Sequence, residues 1–562
     1  MTNQDEKISH CMFKYLIFIA LFFAANVAQA HIGSPGVVYE GMAGPYRILV
    51  NVQPPDVIPG TAQVSISVEG KGVKRVTVQP IYWYAGDEGA PEGDEAIPLP
   101  GAPGQYKGLV WLMKTGTASI AVTVEGTSGS GKAQVPVMAI ATAKRVMEPQ
   151  TGWLLGGLGI FLFILMVTII GASVSEGVTP VGEAITSRMQ SRKWGGMGFA
   201  AAICGLVLFG GSTWWNSWAA RYTRSMDHPV TATSTVKSES AGNSTLVFRM
   251  DPTSLDDHGM SYLIPDHGKL MHLFLVRQGT LDVFAHLHPQ RKDTVTFEVA
   301  LPPLPAGRYL IYADVVRRHG FANTITDTVD IPATGKPITL PDLASTLHHD
   351  TEDTYLITNP LKTQEPLLAD SAAMLCGSPG IKTKLPDGST IIWEEKPNKP
   401  LTVGQVYPLK FTILTPDGQP AQLDPYLGMQ GHAAVVRDDG QVFIHLHPTG
   451  TYSMASWQVM EQRIAETTQL QPPSPDTRAF RDSVDRVLLR LDTMPEEAKM
   501  ALLMPGMTLK KEASFQASHT EHEGASVSFP YAFPQAGAYR IWVQVKRHGK
   551  ILTGAFDARV VN

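Results

Sequence analysis

Apolar positions along this chain follow three rhythms, and each predicts a different element. Unbroken apolar runs occupy residues 15–25, 152–174 and 195–218. The last two are uncharged and longer than 20 residues, enough to span a bilayer as helices. Strict alternation at Val64, Ile66 and Val68, and again at Ile120, Val122 and Val124, predicts half-buried strands. Helical spacing appears within 476–504, at Phe480, Val484, Val487, Leu488 and Leu491, and predicts a helix packed over the last module. Elsewhere, short Val/Ile/Thr-rich runs are punctuated by glycine and proline, the pattern of antiparallel β-sandwiches.

The first apolar run follows Lys7 and Lys14 and precedes Ala28-Gln29-Ala30, so residues 1–30 read as a secretory signal cut after Ala30. Read instead as an uncleaved anchor, it leaves the next domain on the same side of the membrane. Trp153, Trp194, Trp214, Trp215 and Trp218 stand near the ends of the two later runs, as interfacial aromatics do. Basic residues flank both sides, with Arg188, Arg192 and Lys193 between the runs and Lys144, Arg145, Arg221 and Arg224 outside them. Charge therefore does not orient the pair; the exported start does. Residues 31–150 and 220–562 are expected on the periplasmic side of a bacterial inner membrane, with a short cytoplasmic loop between.

Two segments predict hairpins of one design. The first reads Met271-His272-Leu-Phe-Leu-Val-Arg277, Gln278-Gly279-Thr280, Leu281-Asp-Val-Phe-Ala-His286-Leu287-His288-Pro289. The second reads Gly431-His432-Ala-Ala-Val-Val-Arg437, Asp438-Asp439, Gly440-Gln-Val-Phe-Ile-His445-Leu446-His447-Pro448. A three-residue loop pairs Arg277 with Leu281 and sets His272 opposite His286. A two-residue loop pairs Arg437 with Gly440 and sets His432 opposite His445. Opposed residues have Cβ atoms about 5 Å apart, and residues two apart share a face at about 6.6 Å. Leu287 and Leu446 then point the other way, into a core. Each hairpin presents three imidazoles on one patch, either structural and bonded to one another or ligands of a transition metal.

The duplication extends past the hairpins. The run from Gly307 through Tyr309, Ile311 and Val315 to His319-Gly320 matches that from Gly537 through Tyr539, Ile541 and Val545 to His548-Gly549 with one gap. The expected organisation is mainly β: three Ig-like β-sandwich modules with a two-helix transmembrane hairpin between the first and second. The bounds read as 31–148 for the first module, 152–218 for the hairpin, 243–335 for the second module, and 336–384 for a linker. The third module, 385–562, carries a partly helical insertion at 455–526.

Further candidate ligands are His319 and His548, at matching repeat positions, and Met429 and Met454, soft donors suited to Cu(I). Both methionines could equally fill a core. His519 and His522 form a weak pair without a repeat counterpart. Cleavage after Ala30 would leave His31 as an amine-plus-imidazole chelate, but residues 32–150 hold no second histidine. One extramembrane cysteine, Cys376, leaves the mature chain no internal disulfide and no thiolate metal site. A net charge of −5 with 17% charged residues points away from nucleic acid. No glutamate follows either His-x-His as in a cupin, and no zincin helix, nucleophile elbow or phosphate loop occurs. The chain therefore reads as a non-enzyme.

The sequences Leu270-Met-His-Leu-Phe-Leu-Val-Arg with Phe-Ala-His-Leu-His-Pro, and Leu427-Gly-Met-Gln-Gly-His with Phe-Ile-His-Leu-His-Pro-Thr-Gly, resemble YtkA-like domains. The resemblance covers about 180 residues, and His272, His286, His288, His432, His445 and His447 are the matching positions. It implies exported bacterial β-sandwiches associated with heavy-metal, above all copper, handling. The expected protein is a membrane-anchored periplasmic metal binder for copper (zinc as alternative) in resistance, storage or delivery. Its partners would be the metal ion, membrane lipid, and a metal exporter or metalloenzyme receiving the ion. The rivals are an adhesive or scaffolding membrane protein with structural histidines, and a metalloenzyme subunit.

Overall fold

The computed structural model describes residues 36–180, 182–238, 244–255, 262–333, 350–361, 381–394, 400–466, 472–503 and 525–562. The signal segment, His31, Cys376, His519 and His522 lie outside the described residues.

Three Ig-like sandwiches form, each from two antiparallel-rich sheets. In the first, Val64, Ile66 and Val68 of the strand Gly60–Glu69 are buried while Gln63 and Ser65 face solvent. Ile120, Val122 and Val124 close the same core from the facing strand Gly116–Gly126. In the second module, Leu246, Phe248 and Phe297 meet Leu273, Leu275 and Ile311. In the third, Phe411, Phe529 and Trp393 meet Val435, Ile541 and Phe556.

The segment expected as a linker holds a strand. Thr354–Ile357 pairs antiparallel with Val283–Leu287, with His286 opposite Thr354. The Thr-Tyr-Leu-Ile run is itself a strand signal, which the surrounding prolines obscured. The insertion also packs differently from the expectation. Thr477–Thr493, capped by the Asp476 side chain on the Ala479 N–H, lays Phe480, Val484 and Leu488 on the second module's core rather than the third's. A second helix, Glu496–Leu503, follows Pro495, which divides the expected stretch because proline cannot continue the hydrogen-bond ladder. The helix Met454–Ala465 turns to the first module, where Arg463 Nε donates to the Trp83 carbonyl at 2.7 Å.

Both hairpins form, in a register two residues from the expected one. Phe274 stands opposite His286 and Leu273 opposite Leu287; Ala434 stands opposite His445 and Ala433 opposite Leu446. The turns are longer than counted. Leu281, at φ 47°, returns its N–H to the Arg277 carbonyl, and Asp282 binds the Arg277 guanidinium before pairing begins at Val283. In the second hairpin pairing resumes at Val442, whose carbonyl accepts from the Arg437 N–H at 3.0 Å. An even shift keeps every side chain on its expected face.

The histidine-bearing faces of the second and third modules pack against each other. Phe274, Phe284 and Tyr312 meet Ala434, Phe443 and Trp542 in a continuous buried layer. Phe284 and Trp542 stack at 4.7 Å between ring centroids, and Tyr312 and Phe443 at 4.2 Å. The fully buried Arg540 ties the interface by donating to the Leu281 and Asn359 carbonyls at 2.9 and 2.6 Å.

The helices Pro149–Ser175 and Ser187–Ser225 are long and apolar enough to cross a membrane. They span roughly 40 and 58 Å at 1.5 Å per residue. Where the chain enters the first and leaves the second, the Asp227 N–H donates to the Ala141 carbonyl at 2.9 Å and the Tyr222 hydroxyl to the Ala143 carbonyl at 3.0 Å. All three sandwiches therefore sit at one end of the helix pair. The first touches the third directly, through the Val38 N–H on Thr451 Oγ1 at 3.0 Å and the stacked Tyr39 and Tyr452 rings.

Candidate metal centre

The six hairpin histidines all lie in the seam between the second and third modules, with a seventh, His267, and all seven are buried. The two expected patches are therefore one centre. Ring centroids of His272 and His445, from different modules, are 5.4 Å apart, and those of His286 and His445 5.6 Å.

Two groups of three imidazoles stand out, each with its candidate ligand atoms within 4.8 Å of one another. The first is His272, His286 and His288, all from the second module. The second is His432 and His447 from the third module with His267 from the second. His445, expected with His432 and His447, lies between the groups, 5.3 Å from His432 and 4.6 Å from His447 by ring centroid.

In the first group each ring has one nitrogen committed to an acceptor. His272 Nε2 faces the Asp266 carbonyl at 3.2 Å, His286 Nδ1 the Gln544 Oε1 at 3.1 Å, and His288 Nδ1 the Asp353 Oδ1 at 2.9 Å. Donation to these acceptors leaves lone pairs on His272 Nδ1, His286 Nε2 and His288 Nε2. Outer partners of this kind fix the tautomer and orientation of metal-ligating histidines. His272 Nδ1 and His286 Nε2 are 3.1 Å apart, a separation suited to two ligands of one tetrahedral ion with metal–nitrogen bonds of about 2.0 Å.

The second group is less braced. His447 Nδ1 donates to the Tyr452 carbonyl at 2.8 Å, and His445 Nδ1 lies 3.7 Å from Asp314 Oδ2. Both ring nitrogens of His432 lack hydrogen-bond partners, as do the Nε2 atoms of His288, His445 and His447, while His267 Nε2 lies 3.9 Å from Asp266 Oδ1. A buried unpartnered polar atom costs about 1–3 kcal/mol, so this many at one place fit a bound ion better than hydrogen-bonded structural rings.

Burial is the main cause that holds the rings neutral. It lowers His272, His286, His432 and His445 far below the ordinary imidazole range, and neighbouring histidines lower them further. His447 is lowered to about 4. Neutral imidazole is the form that ligates. Burial likewise pushes the Asp314 carboxyl up to about 7, against the Thr324 hydroxyl bond that lowers it. Around the centre, Lys269 pairs with Asp350 and with Glu352 at 3.5 Å, closing the 350–353 segment over the second module.

The remaining expected ligands lie elsewhere. His319 sits at the junction with the first module, its Nδ1 3.2 Å from Thr117 Oγ1 and its ring against Trp83. His548 is an exposed turn residue at φ 50°, before Gly549. Their shared repeat position follows a strand end, away from both imidazole groups. Met429 and Met454 fill an apolar cluster with Tyr39 and Tyr452.

His267 was not among the expected ligands. It occupies a left-handed turn position at φ 51° whose repeat counterpart is Leu427 at φ 48°. Its only sequence signal is a His-Gly turn five residues before His272, without a histidine partner in the other copy. Gln544, Asp353 and Asp266 were missed as orienting residues because each approaches from another element.

A family model described as a domain of unknown function, DUF8832, matches residues 225–333, 383–473 and 507–562, which fall in the two repeated modules. No curated protein matches the chain. Among solved structures, the tetra-tandem repeat in the extending region of a large adhesion protein is 7% identical, with 90% of this chain and 71% of that one covered and a TM-score of 0.14. Chicken CNTN1 FN1-FN3 domains are 6% identical over 93% and 99%, at 0.12. A protein from Corynebacterium diphtheriae is 8% identical over 93% and 95%, at 0.13. Likeness at this level carries no argument about function.

Proposed function

We propose that this chain is a membrane-anchored metal-binding protein that holds copper, with zinc as the alternative, in the histidine centre shared by its second and third modules. The reading places the modules in the periplasm and gives the protein a part in metal resistance, storage or delivery to an exporter or a metalloenzyme. One observation carries it: His272, His286 and His288 each commit one ring nitrogen to a fixed acceptor and turn the other inward, within 4.8 Å of its fellows. Imidazole is a borderline ligand that suits copper and zinc, and no thiolate lies at the centre among the described residues. A bound ion would satisfy the lone pairs left in the seam and join the two modules. His267, His432 and His447 would hold a second ion.

X-ray absorption on the full-length protein loaded with copper in detergent tests this. A first shell of nitrogen at about 2.0 Å with imidazole outer-shell scattering is expected. A shell of sulfur, or of oxygen alone, would place the ion elsewhere and leave the seam histidines structural.

A further inference from the structure

Beside the centre, where all three modules meet, lies a cavity of about 630 Å³. His272, His445 and His447 line one part of it. Asp56, Thr142 and Asp227 line another, at the point where the chain passes into and out of the membrane helices. Asp56 is exposed and Asp227 half-buried, whereas the three histidines are buried. The cavity thus runs from the membrane-proximal surface to the histidines.

Its charge is one-sided. The lining includes Asp56, Asp227, Asp266 and Asp314, and no lysine or arginine among the described residues. Outside the lining, Arg317 lays its guanidinium over the Phe321 ring at 4.8 Å and donates to Asn323, while its charge acts on Asp227, so Asp56 is the rim carboxylate with no basic partner in the lining. An acidic wall by itself is only a solvated surface. Here it ends on His445 Nε2 and His447 Nε2, which are buried and lack hydrogen-bond partners. Carboxylates along the wall and free imidazole lone pairs at its end form a graded set of cation ligands. A cavity with one sign of charge concentrates the opposite ion and raises its on-rate.

We propose that this cavity is the loading route of the centre. It draws a metal cation in beside the membrane helices at Asp56 and Asp227 and hands it to His445 and His447. The step exchanges water and carboxylate oxygen for imidazole nitrogen, without electron transfer. The proposal rests on the metal-binding reading above. It adds to it that the ion arrives at the membrane face rather than through the outer edges of the modules.

The test is the rate at which the full-length protein in detergent takes up Co²⁺, followed by its ligand-field absorption at low salt. The double variant Asp56→Asn/Asp227→Asn should fill about tenfold more slowly, to the wild-type endpoint, and wild-type uptake should slow as salt is raised. Thr326→Phe, which narrows the cavity without changing charge, should also slow uptake and leave its salt dependence intact. Unchanged rates in both variants overturn the route while leaving the centre standing. Wild-type protein that takes up no cobalt overturns the centre and the route together.

Discussion

Gln544, on a central strand of the third module, presents its side-chain oxygen 3.1 Å from His286 Nδ1 of the second module. Its repeat counterpart Asp314, on the matching strand of the second module, lies 3.7 Å from His445 Nδ1 of the third. Within their own modules both stand opposite a histidine, Asp314 opposite His272 and Gln544 opposite His432. Each repeat therefore reaches a histidine of the other, Gln544 at hydrogen-bond distance and Asp314 at ion-pair range.

Gln544→Ala should loosen the centre without removing a ligand. Deleting an outer partner of a ligating histidine typically costs 10–100-fold in metal affinity. Competition against a chelator of known affinity should show that weakening with stoichiometry unchanged. Unaltered affinity would mean that His286 does not need its Nδ1 partner.

His267 lies outside both hairpins, so its substitution separates a shared centre from two independent sites. His267→Asn, which tolerates the left-handed turn, should lower stoichiometry by one ion. His286→Ala/His288→Ala should remove the other. If His267→Asn keeps every ion, the second group is not a site.

Acid should destabilise the metal-free protein. His319 is lowered to about 4 in the fold, mainly by burial and then by Arg317 and Arg318, against about 6.5 when unfolded. The unfolded chain then binds the extra proton. The stabilising contribution is complete above about pH 6.5 and is lost as pH falls toward 4, on the order of 3 kcal/mol for such a shift. Thermal melts of His319→Phe should fall less steeply over that window than those of wild type. Identical pH profiles would show that His319 is not held neutral.

Reporter fusions at residues 185 and 340 should lie on opposite sides of the membrane. The contacts of the first module with the third put both at one end of the helix pair. Matching reports from the two sites would show that the helices do not both cross.

Period and turn chemistry carried much of this fold. Alternation at Val64, Ile66 and Val68, and the paired hairpins around Gly279 and Gly440, were legible because burial repeats every second residue. The loop count failed because Asp282 and Gln441 belong to the turns, where side-chain bonds to Arg277 and Asp439 outweigh simple strand extension. An error of two residues preserved the faces, so the histidine set survived it. What the sequence withheld was the docking of one module on another. His267, Asp353 and Gln544 act across elements, and no local pattern records a contact between residues 258 positions apart, as with His286 and Gln544.

The most direct measurement is the copper content of the full-length protein after loading and desalting, beside that of His286→Ala/His288→Ala. Two ions per wild-type chain and one per double-variant chain are expected. No bound copper in wild type, or equal copper in both, would contradict a metal centre at the seam.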